Sequence, residues 1–265
     1  MSAGYSAPEA ARAMQTWVIT GASSGIGLEL VKQIAARGDK VFATCRKTAS
    51  SMSGKDALSE VTGSVTIIEG IDVAQDDVGQ ALAESALAGV PIDVLVHNAG
   101  SFSGTRNVDA DKTWSDQNFD NISMDRMRAA FEVNTLGPLR VQKALMPQLK
   151  SPGGKVAIIS TGLGSIGDNG SGGNYAYRTS KAAVNMVSKN LSNDFKEKGI
   201  SVQAIAPGFV VSEFVGVEKM TAMGARPVDS ACGGIIQVID AMNMENTGWF
   251  MRVPTSGEEP CQMEW

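Results

Sequence analysis

Residues 20–27 read Thr20-Gly21-Ala22-Ser23-Ser24-Gly25-Ile26-Gly27, and they lie between a short apolar run at 16–20 and a helical pattern at 26–37. Glycines here permit a tight turn and let the backbone approach a pyrophosphate at the helix N-terminus. The spacing is Gly-x-x-x-Gly-x-Gly rather than Gly-x-Gly-x-x-Gly. An ordinary surface turn accounts for one or two of these glycines but poorly for three between a strand and a helix. The stretch therefore predicts a phosphate-binding turn in a strand–turn–helix unit.

The same alternation of strand and helix continues along the chain. We predict strands at 16–20, 40–44, 65–69, 92–97, 155–160, 201–205 and 248–253, and helices at 26–37, 73–88, 124–149, 174–198 and 228–242. Continuous apolar strands joined by helices are typical of a parallel sheet covered on both faces. Right-handed crossovers then give a doubly wound, Rossmann-type α/β fold with about seven strands.

The chain is predicted to form one domain, residues 15–265, after a flexible N-terminal arm at 1–14. Its length of 265 residues suits a single large α/β domain, and no break in composition suggests a second one. Two stretches, 101–122 and 209–226, are longer than plain connectors, and each follows the carboxyl end of a strand, where open α/β sheets bind ligands. Each is either a lid over the substrate or an ordinary surface loop.

Composition excludes several function classes. Hydrophobic residues make up 43% of the chain, charged residues 19%, and the net charge is −5, with lysine and arginine scattered rather than clustered. This pattern argues against a nucleic-acid-binding surface, and no apolar run approaches the roughly 18 residues that a membrane span needs. The single histidine, His97, argues against a multi-histidine metal site, and we predict no metal. Three distant cysteines, without a secretory signal, indicate free thiols and a cytoplasmic location.

Tyr177 and Lys181 form the second informative pattern. Four residues are about one helical turn, so both side chains project from the same face of a helix. An ammonium about 4 Å from a phenol contributes roughly 4 kcal/mol at an effective dielectric of about 20, enough to lower a phenol pKa by about three units. Such a pair can exchange a proton at neutral pH if it faces a cleft, although Tyr-x-x-x-Lys also occurs by chance on solvated helices.

Together these motifs resemble the short-chain dehydrogenase/reductase family over roughly residues 15–255. The shared motifs, in order, are the turn at 20–27, Asp72-Val73, His97-Asn98-Ala99-Gly100, Asn134, Tyr177 with Lys181, and Pro207-Gly208. His97 departs from the family pattern, in which an asparagine stands first in that motif. Three short stretches of sequence, at 137–140, 164–166 and 257–265, resemble those of the sniffer-like and C-factor-like carbonyl reductases.

The resemblance implies a role for each catalytic candidate. Tyr177 donates a proton to the substrate oxygen, Lys181 lowers the phenol pKa and holds the nicotinamide ribose, and Asn134 positions a water. The family's serine corresponds to Thr161, with Ser160 as the alternative. Adjacent strand residues point to opposite faces, so only one of these two hydroxyls is expected to face the substrate, and we favour Thr161.

The cofactor implied is a nicotinamide dinucleotide, and the sequence favours NADPH over NADH. After the second strand the chain reads Cys45-Arg46-Lys47, without the carboxylate that would accept the ribose hydroxyls of NAD. Arg46 can instead bind a 2′-phosphate with a forked, charge-assisted contact. The predicted cofactor site comprises Gly21, Ser23, Ser24, Gly25, Ile26, Gly27, Arg46, Asp72, Val73, Asn98, Ala99, Gly100, Tyr177, Lys181, Pro207, Gly208 and Val210.

The predicted function is reduction of a ketone or aldehyde, with a small-molecule substrate that the sequence does not identify. Phe209 and Phe214 are substrate candidates; Asp168 is interpreted as a turn former or as a contact for a cationic substrate nitrogen. Two alternatives stay open: chemistry on an imine or iminium, including an assisted cyclisation of alkaloid type, and non-catalytic NADPH binding. By resemblance the chain is expected to be a homodimer or homotetramer.

Overall fold

The computed structural model describes residues 13–46, 57–102, 118–211, 217–253 and 259–265. Most of the predicted N-terminal arm, much of the two long loops and Phe214 lie outside the described residues.

One sheet of eight strands organises these residues, in the order β3-β2-β1-β4-β5-β6-β7-β8. The strands are β1 Thr16–Thr20, β2 Lys40–Thr44, β3 Val65–Ile68, β4 Val94–His97, β5 Lys155–Ile159, β6 Ser201–Ala206, β7 Phe250–Arg252 and β8 Cys261–Gln262. All neighbours pair in parallel except β7 and β8, which are antiparallel. The chain order reverses between β1 and β4, so the crevice for a ligand opens above the carboxyl ends of these two strands.

Helices cover both faces of the sheet. They are α1 Gly25–Ala36, α2 Val78–Ala83, α3 Met124–Phe131, α4 Gly137–Leu145, α5 Tyr175–Asp194, α6 Val217–Ala222 and α7 Val228–Ala241. Neighbouring residues of β1 belong to opposite sides: Trp17 packs in the cluster that includes α1 and α7, whereas Val18 packs in the cluster that includes α4 and α5. Burial on both faces explains why the strands are continuously apolar. The predicted doubly wound α/β fold is confirmed.

The structure also departs from the predicted elements. The helix expected at 124–149 is interrupted by a π-helical turn, Glu132–Leu136, that separates α3 from α4. The helix expected at 73–88 is shorter, because residues 74–77 form turns before α2 begins. The two-residue strand β8 was not predicted, since so short a strand leaves no periodic pattern in the sequence.

Candidate active site

The glycine turn brings the N-terminus of α1 to the floor of the crevice. Gly21 has a φ of +66°, a conformation that favours glycine. A Cβ at Gly27 would collide with the carbonyl oxygen of Gly21, so only glycine allows this packing of helix against turn. Ser24 caps α1 without a side-chain hydrogen bond. The first amides of α1 therefore keep their capacity to bind an anion such as a phosphate.

Asn98, at the end of β4, ties this strand to the glycine turn. Its Nδ2 donates to the carbonyl oxygens of Thr20 and Gly21, at 3.0 and 3.1 Å. Its backbone amide donates to Thr20 Oγ1. These bonds fix the separation of β1 and β4 at the point where the sheet order reverses.

A single cleft collects most of the predicted cofactor residues. Those that line it are Gly21, Ser23, Ser24, Gly25, Ile26, Arg46, Asp72, Val73, Asn98, Ala99, Gly100, Tyr177, Lys181 and Pro207. Gly27, Gly208 and Val210 do not line it. Ile71, Val133 and Ile159 also line it and were not predicted, although Ile71 and Val133 each directly precede a motif residue. The catalytic candidate Ser160 lines the cleft, whereas Thr161 does not. The cleft thus runs from the glycine turn to the tyrosine–lysine pair.

Tyr177 and Lys181 lie one turn apart on α5, as predicted from their spacing. Lys181 is 4% exposed, and its Nζ donates to the carbonyl oxygen of Ile159 at 2.8 Å. The same Nζ lies 5.9 Å from the centroid of the Tyr177 ring. Burial lowers the pKa of the Lys181 ammonium to about 8.

The Tyr177 hydroxyl has the opposite shift from the one expected of a tyrosine beside a lysine. Burial raises its pKa to about 12, and a hydrogen bond with the Thr161 side chain opposes that rise. The Phe102 ring, 4.7 Å from the Tyr177 ring, contributes to this burial. In this structure desolvation of the phenolate therefore outweighs the hydrogen bond with Thr161. The hydroxyl therefore retains its proton at neutral pH and is a weaker acid than a free phenol, so proton transfer from it requires stabilisation of the phenolate.

The two candidate hydroxyls after β5 have different partners. Ser160 is buried, and its Oγ donates to Asn185 Oδ1 at 2.5 Å. Thr161 accepts a hydrogen bond from the Leu163 amide and also contacts the Tyr177 hydroxyl. Ser160 lines the cleft but its hydroxyl is bonded to Asn185 of α5, whereas the Thr161 hydroxyl adjoins the proton donor.

Asn134 lies within the π-helical turn, and both polar atoms of its side chain form hydrogen bonds. Nδ2 donates to the Ser101 carbonyl at 2.8 Å and to Ser180 Oγ at 3.0 Å. Oδ1 accepts from the Ser101 amide at 2.8 Å. The side chain therefore joins the segment after β4 to α5, and both of its amide hydrogens are used without a water.

Of the three substrate candidates, the two that the structure describes, Asp168 and Phe209, do not line the cleft. Asp168 lies on an exposed turn, where its amide donates to Ser165 Oγ, consistent with its interpretation as a turn former. Phe209 is 41% exposed and does not line the cleft. Phe214 lies outside the described residues.

The chain is similar to known proteins in both sequence and structure. A family model described as short chain dehydrogenase matches residues 15–221. The chain belongs to this family. A relative, the 1-hydroxy-2-glutathionyl-2-methyl-3-butene dehydrogenase of Rhodococcus sp. (strain AD45), is 33% identical over 238 residues, 89% of this chain and 96% of that protein.

Solved structures of carbonyl reductases resemble this short-chain dehydrogenase closely. The NADPH-bound carbonyl reductase from chicken fatty liver is 27% identical with a TM-score of 0.75, over 95% of this chain and 99% of that one. Carbonyl reductase Sniffer of D. melanogaster is 25% identical with a TM-score of 0.77, over 96% and 100%. The predicted kinship with carbonyl reductases is confirmed.

The described residues bring no three histidine, cysteine, aspartate or glutamate side chains together as a metal site would need. Among the helices that the structure describes, none combines the length and apolar character that crossing a bilayer requires. Cys45, Cys232 and Cys261 are free thiols, as predicted.

His97, which replaces the asparagine expected from the family pattern, is a packed residue of this short-chain dehydrogenase. It is 2% exposed, and its Nε2 forms a 3.1 Å hydrogen bond with Gln142 Oε1. Burial lowers the pKa of His97 to about 4 from an ordinary value of 6.5, because the imidazolium would be desolvated. This agrees with the interpretation of His97 as a hydrogen-bonded core histidine.

We expect His97 to make the fold acid-sensitive. Between pH 6.5 and about pH 4 the unfolded chain binds a proton that the folded chain does not, so stability falls as the pH falls through this window. The loss should approach roughly 3 kcal/mol. Urea unfolding across this range measures it, and His97→Asn should flatten the profile. An equally steep profile in His97→Asn would contradict the assignment, since the chain has no other histidine.

Proposed function

We propose that this protein is an NADP-dependent oxidoreductase that reduces the carbonyl group of a ketone or aldehyde to an alcohol. The observation that carries the proposal is the position of Tyr177, whose hydroxyl contacts Thr161 and which shares one cleft with Lys181 and the glycine turn. A proton donor beside a nucleotide-binding turn is what carbonyl reduction requires of the protein.

The described residues fit a dinucleotide. The α1 N-terminus offers backbone amides to the pyrophosphate, while Asp72 and Val73 line the part of the cleft where the family contacts adenine. Arg46 lines the same cleft at the end of β2, where an NAD-specific site would have a carboxylate. The carbonyl reductase from chicken fatty liver, similar along its whole length, is described as NADPH-bound. A nicotinamide bound in this cleft would supply the hydride.

Selectivity for NADPH is expected to depend on Arg46. Arg46→Ala should raise the Kd of NADPH about 10- to 100-fold, since a charge-assisted hydrogen bond contributes about 1.5–3 kcal/mol. NADH is the matched control because it lacks only the 2′-phosphate, and its Kd should change less than about twofold. Isothermal titration calorimetry with both dinucleotides measures the two Kd values. An equal rise in the Kd of NADH would instead show that Arg46 contributes to dinucleotide binding in general.

The residues around Tyr177 then perform the remaining chemistry. Thr161 donates a hydrogen bond to the substrate oxygen and orients the carbonyl. As hydride adds to the carbonyl carbon, Tyr177 transfers its proton to that oxygen, and carbonyl plus hydride plus proton gives the alcohol. The Lys181 ammonium stabilises the phenolate that remains.

Thr161, rather than Ser160, is expected to act on the substrate. Thr161→Ala should lower kcat/KM about 10- to 100-fold through loss of a hydrogen bond to a group that gains charge, while Thr161→Ser should retain most of it. Ser160→Ala removes the bond to Asn185 and should lower the melting temperature more than the turnover. Steady-state kinetics and thermal unfolding of the three variants separate these effects. The reverse pattern would assign the role to Ser160.

The proposed function is tested by NADPH oxidation with a panel of ketones and aldehydes, with the alcohol quantified against the NADPH consumed. A one-to-one ratio supports it. Product formed without NADPH consumption would indicate an assisted cyclisation, and consumption with imines alone would indicate imine reduction. Tight NADPH binding without any turnover would indicate a binding protein. A cytoplasmic location and a homodimer or homotetramer stay predictions.

A further inference from the structure

Residues 261–265, here named the strap, fold back along the last parallel strand. After β8 the Met263 amide donates to the Phe250 carbonyl at 2.7 Å. The Trp265 ring then stacks on the fully buried Phe250 ring, with centroids 5.3 Å apart and planes 23° apart. Lys189 of α5 lies with its Nζ 5.9 Å from the Trp265 ring centroid. Trp265 thus anchors the strap to both β7 and α5.

The strap lies directly against the loop that follows β5. The Gly167 amide donates to the Trp265 carbonyl at 3.1 Å. A Cβ placed on Gly162 would be 3.6 Å from Met263 Cε, and one on Gly167 would be 3.2 Å from Glu264 Oε2. The strap thus bonds to the loop at Gly167 and leaves little room for a larger side chain at Gly162 or Gly167.

Helix α5 holds the opposite side of the same loop. Asn185 Nδ2 donates to the Gly164 carbonyl at 3.2 Å, and a Cβ on Gly164 would lie 3.1 Å from Lys181 Cβ. The Arg178 guanidinium, 8% exposed, donates to the Leu163 carbonyl at 3.4 Å. The loop is thus clamped between α5 and the strap.

This loop begins with Thr161. The Gly164 amide donates to the Thr161 carbonyl at 2.9 Å, so the residue is part of the loop's first turn. The loop has glycines at 162, 164 and 167, which give the backbone little rigidity of its own. The position of the Thr161 hydroxyl relative to Tyr177 therefore depends on the elements that pack against the loop, α5 and the strap.

We propose that the strap is a positioning element that sets the place of Thr161 in the active site, with Trp265 as its anchor. The inference rests on the proposed function, because it concerns the residue that would orient the carbonyl. It concerns a different residue, since Trp265 does not line the cofactor cleft and is bonded to the loop at Gly167.

A double-mutant cycle tests this coupling. Trp265→Ala should lower kcat/KM for a carbonyl substrate about tenfold, less than the roughly 100-fold that a 1 Å misplacement can cost. Trp265→Phe should restore most of it, and the Kd of NADPH should stay unchanged. In a Thr161→Ala background, Trp265→Ala should have almost no further effect. A full additional tenfold loss would overturn the proposal, because Trp265 would then act independently of Thr161.

Amide hydrogen exchange provides a readout that needs no turnover. Trp265→Ala should speed exchange at 162–167 and leave it unchanged at 21–27, since only the first segment contacts the strap. Trp249→Ala is the matched control: this tryptophan is 38% exposed on the neighbouring segment, and its variant should alter neither segment. Unchanged exchange at 162–167 in Trp265→Ala would overturn the proposal, even if no carbonyl substrate is found.

If the proposed function is wrong, the outcome differs: the unsubstituted protein oxidises no NADPH with any carbonyl compound. If Trp265→Ala does not fold, Met263→Ala replaces it in both experiments, because it removes only the thioether beside Gly162. The same expectations apply to that variant, with smaller changes.

Discussion

Tyr177→Phe is expected to lower kcat about 10³-fold, within the roughly 10²- to 10⁴-fold range of a positioned proton donor. Because burial raises the pKa of the Tyr177 hydroxyl to about 12, this group stays protonated at neutral pH and is the donor that the substitution removes. The phenyl ring keeps its packing against Phe102, so the fold and the Kd of NADPH should be preserved. Single-turnover measurements of NADPH oxidation with saturating carbonyl substrate report the effect.

Tyr175→Phe is the matched control. Tyr175 precedes Tyr177 by two residues on α5, and its ring lies 6.5 Å from Phe119 rather than beside Lys181. Its loss should change kcat less than about twofold. If Tyr177→Phe retained more than about a tenth of the activity on a carbonyl, Tyr177 would not be the essential proton donor. Chemistry on an iminium, which needs no proton on oxygen, would then gain support.

Lys181→Met should have the second largest effect on turnover, with a small gain in stability. The ammonium lies 5.9 Å from the Tyr177 ring centroid, where it stabilises a phenolate by roughly 3 kcal/mol at an effective dielectric of about 20. Its removal should therefore lower kcat about 100-fold. Methionine has similar length and fills the same space without a charge. Steady-state kinetics and urea unfolding of the same samples measure both effects.

The stability gain has a defined pH dependence. Burial lowers the pKa of Lys181 from 10.5 to about 8, so the folded state disfavours the ammonium. Between pH 8 and pH 10.5 the unfolded chain binds more protons than the folded one, and stability of the unsubstituted protein rises with pH. Below pH 8 the penalty is complete, roughly 3 kcal/mol, against about 1.5–3 kcal/mol for the lost charge-assisted bond to Ile159, so the net gain in stability is small.

Lys155→Met is the control for this substitution. Lys155 Nζ also donates to backbone carbonyls, those of Ile239 and Asp240, but it lies away from the cleft. That variant should lose stability and keep its turnover. A Lys181→Met protein that is less stable than the unsubstituted one at neutral pH would show that the bond to Ile159 outweighs the penalty of burying the ammonium.

The parts of the site that depend on local geometry were predictable from the sequence. The turn at 20–27 was recognisable because glycine spacing and flanking elements are properties of one continuous segment. The Tyr177–Lys181 pairing followed from helical periodicity in the same way. Because the motifs occur in the same order as in the family, the sequence also predicted that they line one cleft.

Other properties arise from contacts between distant segments, which no local pattern records. The sign of the Tyr177 pKa shift depends on burial, to which Phe102 contributes from a separate segment. The π-helical turn at Glu132–Leu136 adds a residue to one helical turn without altering the apolar pattern visibly. The strap was missed because its bond to Gly167 joins residues that the sequence places far apart.

The antiparallel strand β8 also affects how the sheet meets other chains. In β7, Met251 and Arg252 already have register partners, Gln262 and Cys261, on their outer side. An exposed row of unpaired backbone groups invites edge-to-edge aggregation, and natural sheets limit this risk with very short edge strands. With only two residues, β8 leaves an incoming strand almost no template at this edge. Loss of its pairing would uncover β7 and favour intermolecular β-sheet, so a damaged strap should appear first as reduced solubility during expression.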